Sequence, residues 1–499
     1  MKVQQFLEHH GLAQNPFSQE DAQTDLLFKQ HCSRDVFHPA WDKIFGSPDE
    51  PATSVVFGEK GSGKTALRLQ MVEQAADHNR AHPDRRAYVV EYDDFNPFLD
   101  CFHERMSVLG RSPERTLSRF RLWDHMDALL SLAVTQLIND ILNEHTQGAP
   151  GPFEVTSDRI AQLSRTQKRD LLLLAAYYDR STGVSRGERW RQLRRKLRFS
   201  NWKSQWDLGL GSVGTLVLGW LLYDQGQLAQ LGSFWPWLVL IALWGPWLYR
   251  QGKLLWHAWH VRRQVKVLEH HFQPLRSILS RFERKDLLDQ PAPSRERSDD
   301  RYELLGKLQG ILKSLGFASL LVLVDRVDEP HLINGSPSRM RDLLWPMFDN
   351  KFLKHAGLGF KLLLPIEVSF YLLKEDKEFY ERSRLDKQNL IRSLEWTGES
   401  LYDLANDRIR ASANGSTGGD TTLRQWFDES ISEPELVSTL ARLRVPRHLF
   451  KFTHRLLVEH CNRYTDANPR WTIGRETLQA ALAVYLRDLE ACDRGLGVS

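Results

Sequence analysis

Residues 53–65 read Thr-Ser-Val-Val-Phe-Gly-Glu-Lys-Gly-Ser-Gly-Lys-Thr, and this stretch decides the fold. Its first five residues are mostly β-branched or apolar and predict a short buried strand. Gly58 to Thr65 then satisfy G-x-x-x-x-G-K-[ST] at every fixed position. The following ALRLQMVEQAADH is rich in helix formers, with Leu67 and Met71 on one face. Strand, loop and helix thus come in the order that phosphate binding requires. Backbone N–H groups across Gly58, Glu59, Lys60, Gly61, Ser62 and Gly63 can curl toward phosphate oxygens, and the helix adds its positive N-terminal end. Lys64 would reach the β- and γ-phosphates, and Thr65 would give its hydroxyl to Mg²⁺.

Working outward, Leu320 to Val324 (LLVLV) predicts a fully buried parallel strand ending in Asp325-Arg326-Val327-Asp328-Glu329. Such a strand carries Asp325 to the carboxyl edge of the sheet, beside the glycine loop, where it would hold Mg²⁺ through water. Asp328 or Glu329 would orient or deprotonate the attacking water. Ala87 to Glu91, Gly359 to Pro365 and Leu390 to Trp396 predict further strands, with a helix near Ser400 to Ala411. The expected fold is therefore α/β, a parallel sheet flanked by helices.

Between the two motifs the composition changes. Of 16 tryptophans in 499 residues, ten lie between Trp190 and Trp259. Leu208 to Tyr223 and Leu231 to Tyr249 contain no ionisable side chain other than terminal tyrosines, and they predict a transmembrane hairpin with helices near 207–224 and 230–249. Residues 186–203 carry eight basic side chains against one acid, and residues 250–266 carry five against none. This bias would set both flanks on the cytoplasmic side of a lipid bilayer. Trp202, Trp206, Trp235, Trp237, Trp256 and Trp259 fit an interfacial belt. A buried hairpin, or one lying in the interface, is the alternative, and solvated helix faces or a nucleic-acid patch are the alternatives for the basic segments.

A formal charge of +4 is too small for a chain that coats nucleic acid along its whole surface, and 41% hydrophobic residues exclude disorder throughout. Cys32, Cys101, Cys461 and Cys492 are widely separated, which suggests neither a disulfide framework nor a zinc site. The N-terminus has no apolar run of signal-peptide length. Residues 1–100 read as a lead-in segment plus the first half of the core. Residues 101–300 read as a helical insertion containing two helical stretches at 123–142 and 159–179, the hairpin, a long basic helix over 253–287 and a polar link at 290–300. Residues 301–411 complete the core. Residues 412–499 form a helical lid with a polar loop at 415–420.

With both motifs in view, the chain resembles the P-loop NTPases of the additional-strand type, the group containing AAA, STAND and KAP proteins. The 259 residues between Thr65 and Asp325, with an apolar hairpin inside them, resemble KAP ATPases, which carry transmembrane helices between Walker A and Walker B. KAP proteins usually have two adjacent acids in the second motif. Here Arg326 takes the second position, and DRVDE is closer to the DxxDE of NACHT-like STAND proteins. GLAQNPF, residues 11–17, is similar to a GLxxxPF segment found ahead of the core in some AAA ATPases. ARLRVPRHLFKFTHRLLVEH resembles the Pro-Arg lid helix of AAA and origin-recognition-like ATPases, which makes Arg447 a candidate γ-phosphate contact; an ordinary arginine at a helix start is the alternative. Arg382, Arg384, Arg408 and Arg410 are candidates for a finger into a neighbouring subunit.

The resemblance implies a membrane-anchored, Mg-dependent ATPase that switches conformation or assembly. It would be located at the cytoplasmic membrane with two helices in the bilayer and both termini cytoplasmic. It would form homo-oligomers on nucleotide binding and act on a protein partner. ATP is favoured over GTP because no NKxD element is present, and ABC transport is disfavoured because no LSGGQ-like signature is present. The alternative is a DNA- or partner-binding regulator with slow or no hydrolysis. Nucleic acid is thus a partner of that second reading only.

Overall fold

A computed structural model describes residues 1–32, 36–106, 111–142, 155–180, 185–200, 206–224, 234–269, 272–288, 290–385, 389–413 and 421–493. The expected belt residue Trp202, most of the hairpin loop and the polar loop at 415–420 lie outside the described residues.

The protein is α/β and mostly helical. Among the described residues, five strands form one all-parallel sheet: β1 (Ser54–Gly58), β2 (Arg86–Tyr92), β3 (Phe317–Val324), β4 (Leu358–Pro365) and β5 (Asn389–Ile391). Their spatial order is β2-β3-β4-β1-β5. β1 and β4 are buried along their whole length, as expected for strands covered by helices on both faces. β4 lies between the strand that feeds the glycine loop and the strand that ends at Asp325. The pairs Gly58↔Pro365 and Tyr92↔Val324 align the carboxyl ends of the strands on one edge. The helix Lys64–Ala81 leaves that edge and buries Leu67, Met71 and Ala75 in the core shared with β1 to β4.

The strand expected over Leu390–Trp396 stops at Ile391. The chain then turns over the glycine loop: Leu394 N–H donates to Phe57 O at 2.8 Å, and the Trp396 indole donates to Ser62 O at 2.9 Å. Helix Leu122–Leu142 forms as expected and docks on β2, with Gln136 Nε2 donating to Val89 O at 3.1 Å. The stretch 159–179 is split, because Ser164 starts a new helix, Arg165–Tyr178, by accepting from Gln167 N–H at 3.2 Å. The long helix expected over 253–287 is likewise three pieces, ending at Gln264, Leu279 and Leu287. A fully buried ion pair, Arg301 Nη2 to Asp127 Oδ2 at 3.0 Å, ties the insertion to the helix Asp299–Ser314, and Tyr178 Oη donates to Asp127 at 2.7 Å. With both charges out of water, this pairing is what makes their burial tolerable.

The transmembrane hairpin is corrected. Helices do form at Trp206–Asp224 and Trp235–Gln264, yet among the described residues no helix is long and apolar enough to cross a membrane. The first spans 19 residues, about 28 Å, but includes Asp207, Asp224 and four glycines. In the second the strongly apolar run is short, diluted by Pro236, Gly245 and Pro246. Beyond Arg250 its far half turns inward, burying Leu254, Ala258 and Val261. The placement in the cytoplasmic membrane as a two-helix protein therefore does not stand. The two helices pack on each other: a Cβ at Gly214 would meet Leu243 at 2.7 Å, and Trp244 Nε1 donates to Thr215 Oγ1 at 3.0 Å.

A second hydrophobic core lies at the C-terminal end. Phe6, Leu7, Leu12 and Phe17 of the lead-in segment are buried there with Leu401, Trp426, Leu449, Leu457 and Leu482. The N-terminal ammonium donates to Tyr464 O at 2.5 Å at the end of helix Pro446–Arg463, which holds the first residues onto the 421–493 helices.

Candidate functional site

At the carboxyl edge of the sheet, the glycine loop faces a cavity of about 240 Å³. Gly61 and Gly63 take φ of 89° and 95°, conformations that glycine adopts without strain. Lys64 folds back over the loop, with Nζ donating to Gly58 O at 2.7 Å and Glu59 O at 2.9 Å. Burial lowers its pKa, while the negative charges of Asp325, Asp328 and Glu367 oppose that shift. Lys60 is exposed at the rim, and Glu59 enters through its carbonyl, which also accepts from Ser62 N–H at 3.2 Å. Ser62 Oγ is buried and has no hydrogen-bond partner among the described residues.

β3 places Asp325 opposite this loop. Thr65 Oγ1 donates to Asp325 Oδ2 at 3.1 Å, so the two expected metal residues meet. Asp325 is 1% exposed, and burial raises its pKa against the pull of Arg68, the Arg326 N–H, Thr65 and Lys64. Among the described residues, no group of three or more His, Cys, Asp or Glu side chains is arranged to hold a metal ion by itself. The donor set is one carboxylate and one hydroxyl, both hard oxygens. It suits Mg²⁺ whose remaining ligands are water and phosphate oxygens, and it suits no all-protein cage.

The next residues separate the two candidate water-positioning acids. Arg326 sits at φ 58°, a left-handed conformation costly for a non-glycine residue, and re-aims the chain after β3. Asp328 is half-buried, lines the cavity and acts on Lys64. Glu329 also lines the cavity, but its side chain is 57% exposed and paired with Arg326 at 3.5 Å. Burial raises the Glu329 pKa, and the neighbouring charges of Asp328, Asp325 and Asp21 add to this while Arg326 opposes it.

The C-terminal helices close over the loop. Arg447 N–H donates to Gly61 O at 3.3 Å, and a Cβ at Gly61 would lie 2.5 Å from Arg447 Cβ. The Arg447 guanidinium points to Glu20, with Nε 3.6 Å from Oε2, and Lys451 reaches the same carboxylate at 3.5 Å. Of the other arginines, Arg408 is buried against Asp25 at 2.6 Å and also donates to Pro16 O at 2.7 Å, so it holds the lead-in segment and does not project outward.

Several cavity residues carry no sequence motif. Glu367 follows the end of β4, where a parallel sheet collects functional groups, and that position is the signal that could have found it. Arg68 stands one helical turn beyond Lys64. Trp396 caps the loop, and His38 packs edge-on against it at 5.2 Å. His38 Nδ1 accepts from Ala40 N–H and Nε2 donates to Glu395 O, which fixes a tautomer that burial keeps neutral.

Compared with protein families, characterised proteins and solved structures, the chain matches none.

Proposed function

We propose that the chain binds ATP with Mg²⁺ at the Gly58–Thr65 loop and hydrolyses it, as a P-loop NTPase of the additional-strand type. The observation that carries this reading is the contact between the Thr65 hydroxyl and the Asp325 carboxylate, brought from two distant motifs to one edge of a parallel sheet. The strand lying between β1 and β3 supports the additional-strand class.

Loop amides and the N-terminus of helix Lys64–Ala81 receive the phosphates, and Lys64 exchanges the Gly58 and Glu59 carbonyls for phosphate oxygens. Bound Mg²⁺ supplies charge neutralisation across the phosphates, and Thr65 and Asp325 are the residues that would hold it. Asp328 orients water for in-line attack. Closure of the lid through Arg447 and Glu20 makes nucleotide state readable as conformation or assembly, the switch role of AAA and STAND proteins.

The test is ATP binding and phosphate release by the full chain beside Lys64→Ala and Asp325→Asn. Mg-dependent binding that Lys64→Ala abolishes supports the reading. A wild-type chain that binds no nucleotide, or binds it equally well after both substitutions, ends it.

A further inference from the structure

We propose that Arg68 is a positioning residue for the divalent cation, resting on Asp325 while no metal is bound and withdrawing onto Glu91 and Asp93 when one enters. The inference rests on the Mg-nucleotide reading and concerns residues outside both motifs.

Arg68 lies three residues after Thr65 on the same helix face, and it is 2% exposed. Its guanidinium spans two strand ends. On one side Nε is 3.3 Å from Asp325 Oδ2, the same oxygen that accepts from Thr65 Oγ1. On the other, Nη1 is 3.0 Å from Asp93 Oδ2 and donates to Glu91, at the end of β2. The two grips differ in quality. Among the described residues Arg68 Nε, which is buried, makes no formed hydrogen bond, so its hold on Asp325 is charge alone, whereas Nη1 hydrogen-bonds the β2 acid. A cation that coordinates Asp325 properly can displace Nε and still leave the arginine paired.

This arrangement has a mechanical sense. The guanidinium lies against the same Asp325 oxygen that faces Thr65, and its charge holds that carboxylate in place until metal arrives. The guanidinium also repels an incoming dication, while Glu91 and Asp93 draw it off. Arginine and acids therefore bear on metal affinity with opposite signs.

The experiment is a MgCl₂ titration of the full chain with a fluorescent ATP analogue at fixed concentration, reading half-saturating Mg²⁺. Arg68→Gln should lower that concentration by about fivefold or more, because one positive charge leaves the cation's neighbourhood. The double variant Glu91→Gln/Asp93→Asn should raise it by a similar factor, because Arg68 then has only Asp325 to hold. Arg68→Lys, which keeps the charge, should stay near wild type. A residue that merely props up the fold would weaken binding in every variant and would not split the shifts by sign. Shifts of the same sign, or no shift, overturn the inference while leaving Mg-dependent binding by the wild type intact. If Arg68→Gln fails to fold, the acid variant decides alone, since both its acids are partly exposed and an unchanged requirement there overturns the proposal. A wild-type chain that takes up the analogue with no dependence on MgCl₂ overturns both readings.

Discussion

Thr65 Oγ1 and Asp325 Oδ2 lie 3.1 Å apart, although 260 positions separate the two residues. Burial of Asp325 is unfavourable in itself, as its raised pKa records, so the carboxylate is kept at a cost to folding. Asp325→Asn should therefore melt at or above the wild-type temperature while losing Mg-stimulated phosphate release by about 100-fold or more. Thermal melting beside a phosphate-release assay checks this. A variant that loses activity only because it unfolds contradicts the expected split.

Asp328 and Glu329 differ in where they sit. Asp328 is half-buried and faces Lys64, whereas Glu329 is exposed and paired with Arg326. A water-positioning carboxylate is effective when it is fixed close to the reacting centre. Asp328→Asn should reduce turnover by about 10² to 10⁴-fold, and Glu329→Gln by much less. Single-turnover rates at saturating MgATP decide between them, and the reverse ranking would reassign the role to Glu329.

Glu20 binds Arg447 and Lys451 together over the glycine loop. These are partly exposed pairs, so each contributes little, but they hold the guanidinium away from any phosphate. Glu20→Gln should tighten ATP binding by about fivefold or less, the scale of an exposed ion pair, and Arg447→Ala should weaken it. Equilibrium binding of a fluorescent ATP analogue reads both. Tighter binding in the Arg447 variant would mean that the arginine only obstructs the site.

What the sequence made legible was local or periodic. TSVVF, LLVLV and the glycine spacing announce buried strands and a tight turn through short-range chemistry, and β1, β3 and the loop between β1 and its helix formed where that chemistry puts them. Arg68 meeting Asp325 was not legible, because it depends on β3 coming to lie beside β2 from the far side of the insertion. Nor was the docking of Arg447 on Gly61, which requires the second core to assemble first. The apolar hairpin departs from a membrane span for a different reason. An uncharged stretch reads as apolar by eye, but Gly211, Gly214, Trp244 and Pro246 contribute little hydropathy, and here they serve close helix packing or break the run.

His125 gives a pH signature independent of the nucleotide site. It is buried beside the end of β2, with Nε2 donating to Leu343 O at 2.8 Å and Nδ1 accepting from Tyr92 Oη at 3.3 Å. Both nitrogens are engaged by the neutral ring, and burial lowers its pKa from 6.5 to about 4. An unfolded chain takes up this proton near 6.5 and the native chain only near 4, so unfolding binds a proton between those values. Stability is then lost as pH falls through that window, by about 2 kcal/mol at pH 5 and about 3 kcal/mol at pH 4, and the contribution vanishes above about pH 7. His125→Gln keeps a donor for Leu343 O but cannot titrate. It should be less stable than wild type at pH 7.5 and close most of that gap by pH 4.5. Denaturant unfolding of both proteins at the two pH values measures the gap, and a constant difference would show that His125 is not the group that senses acid.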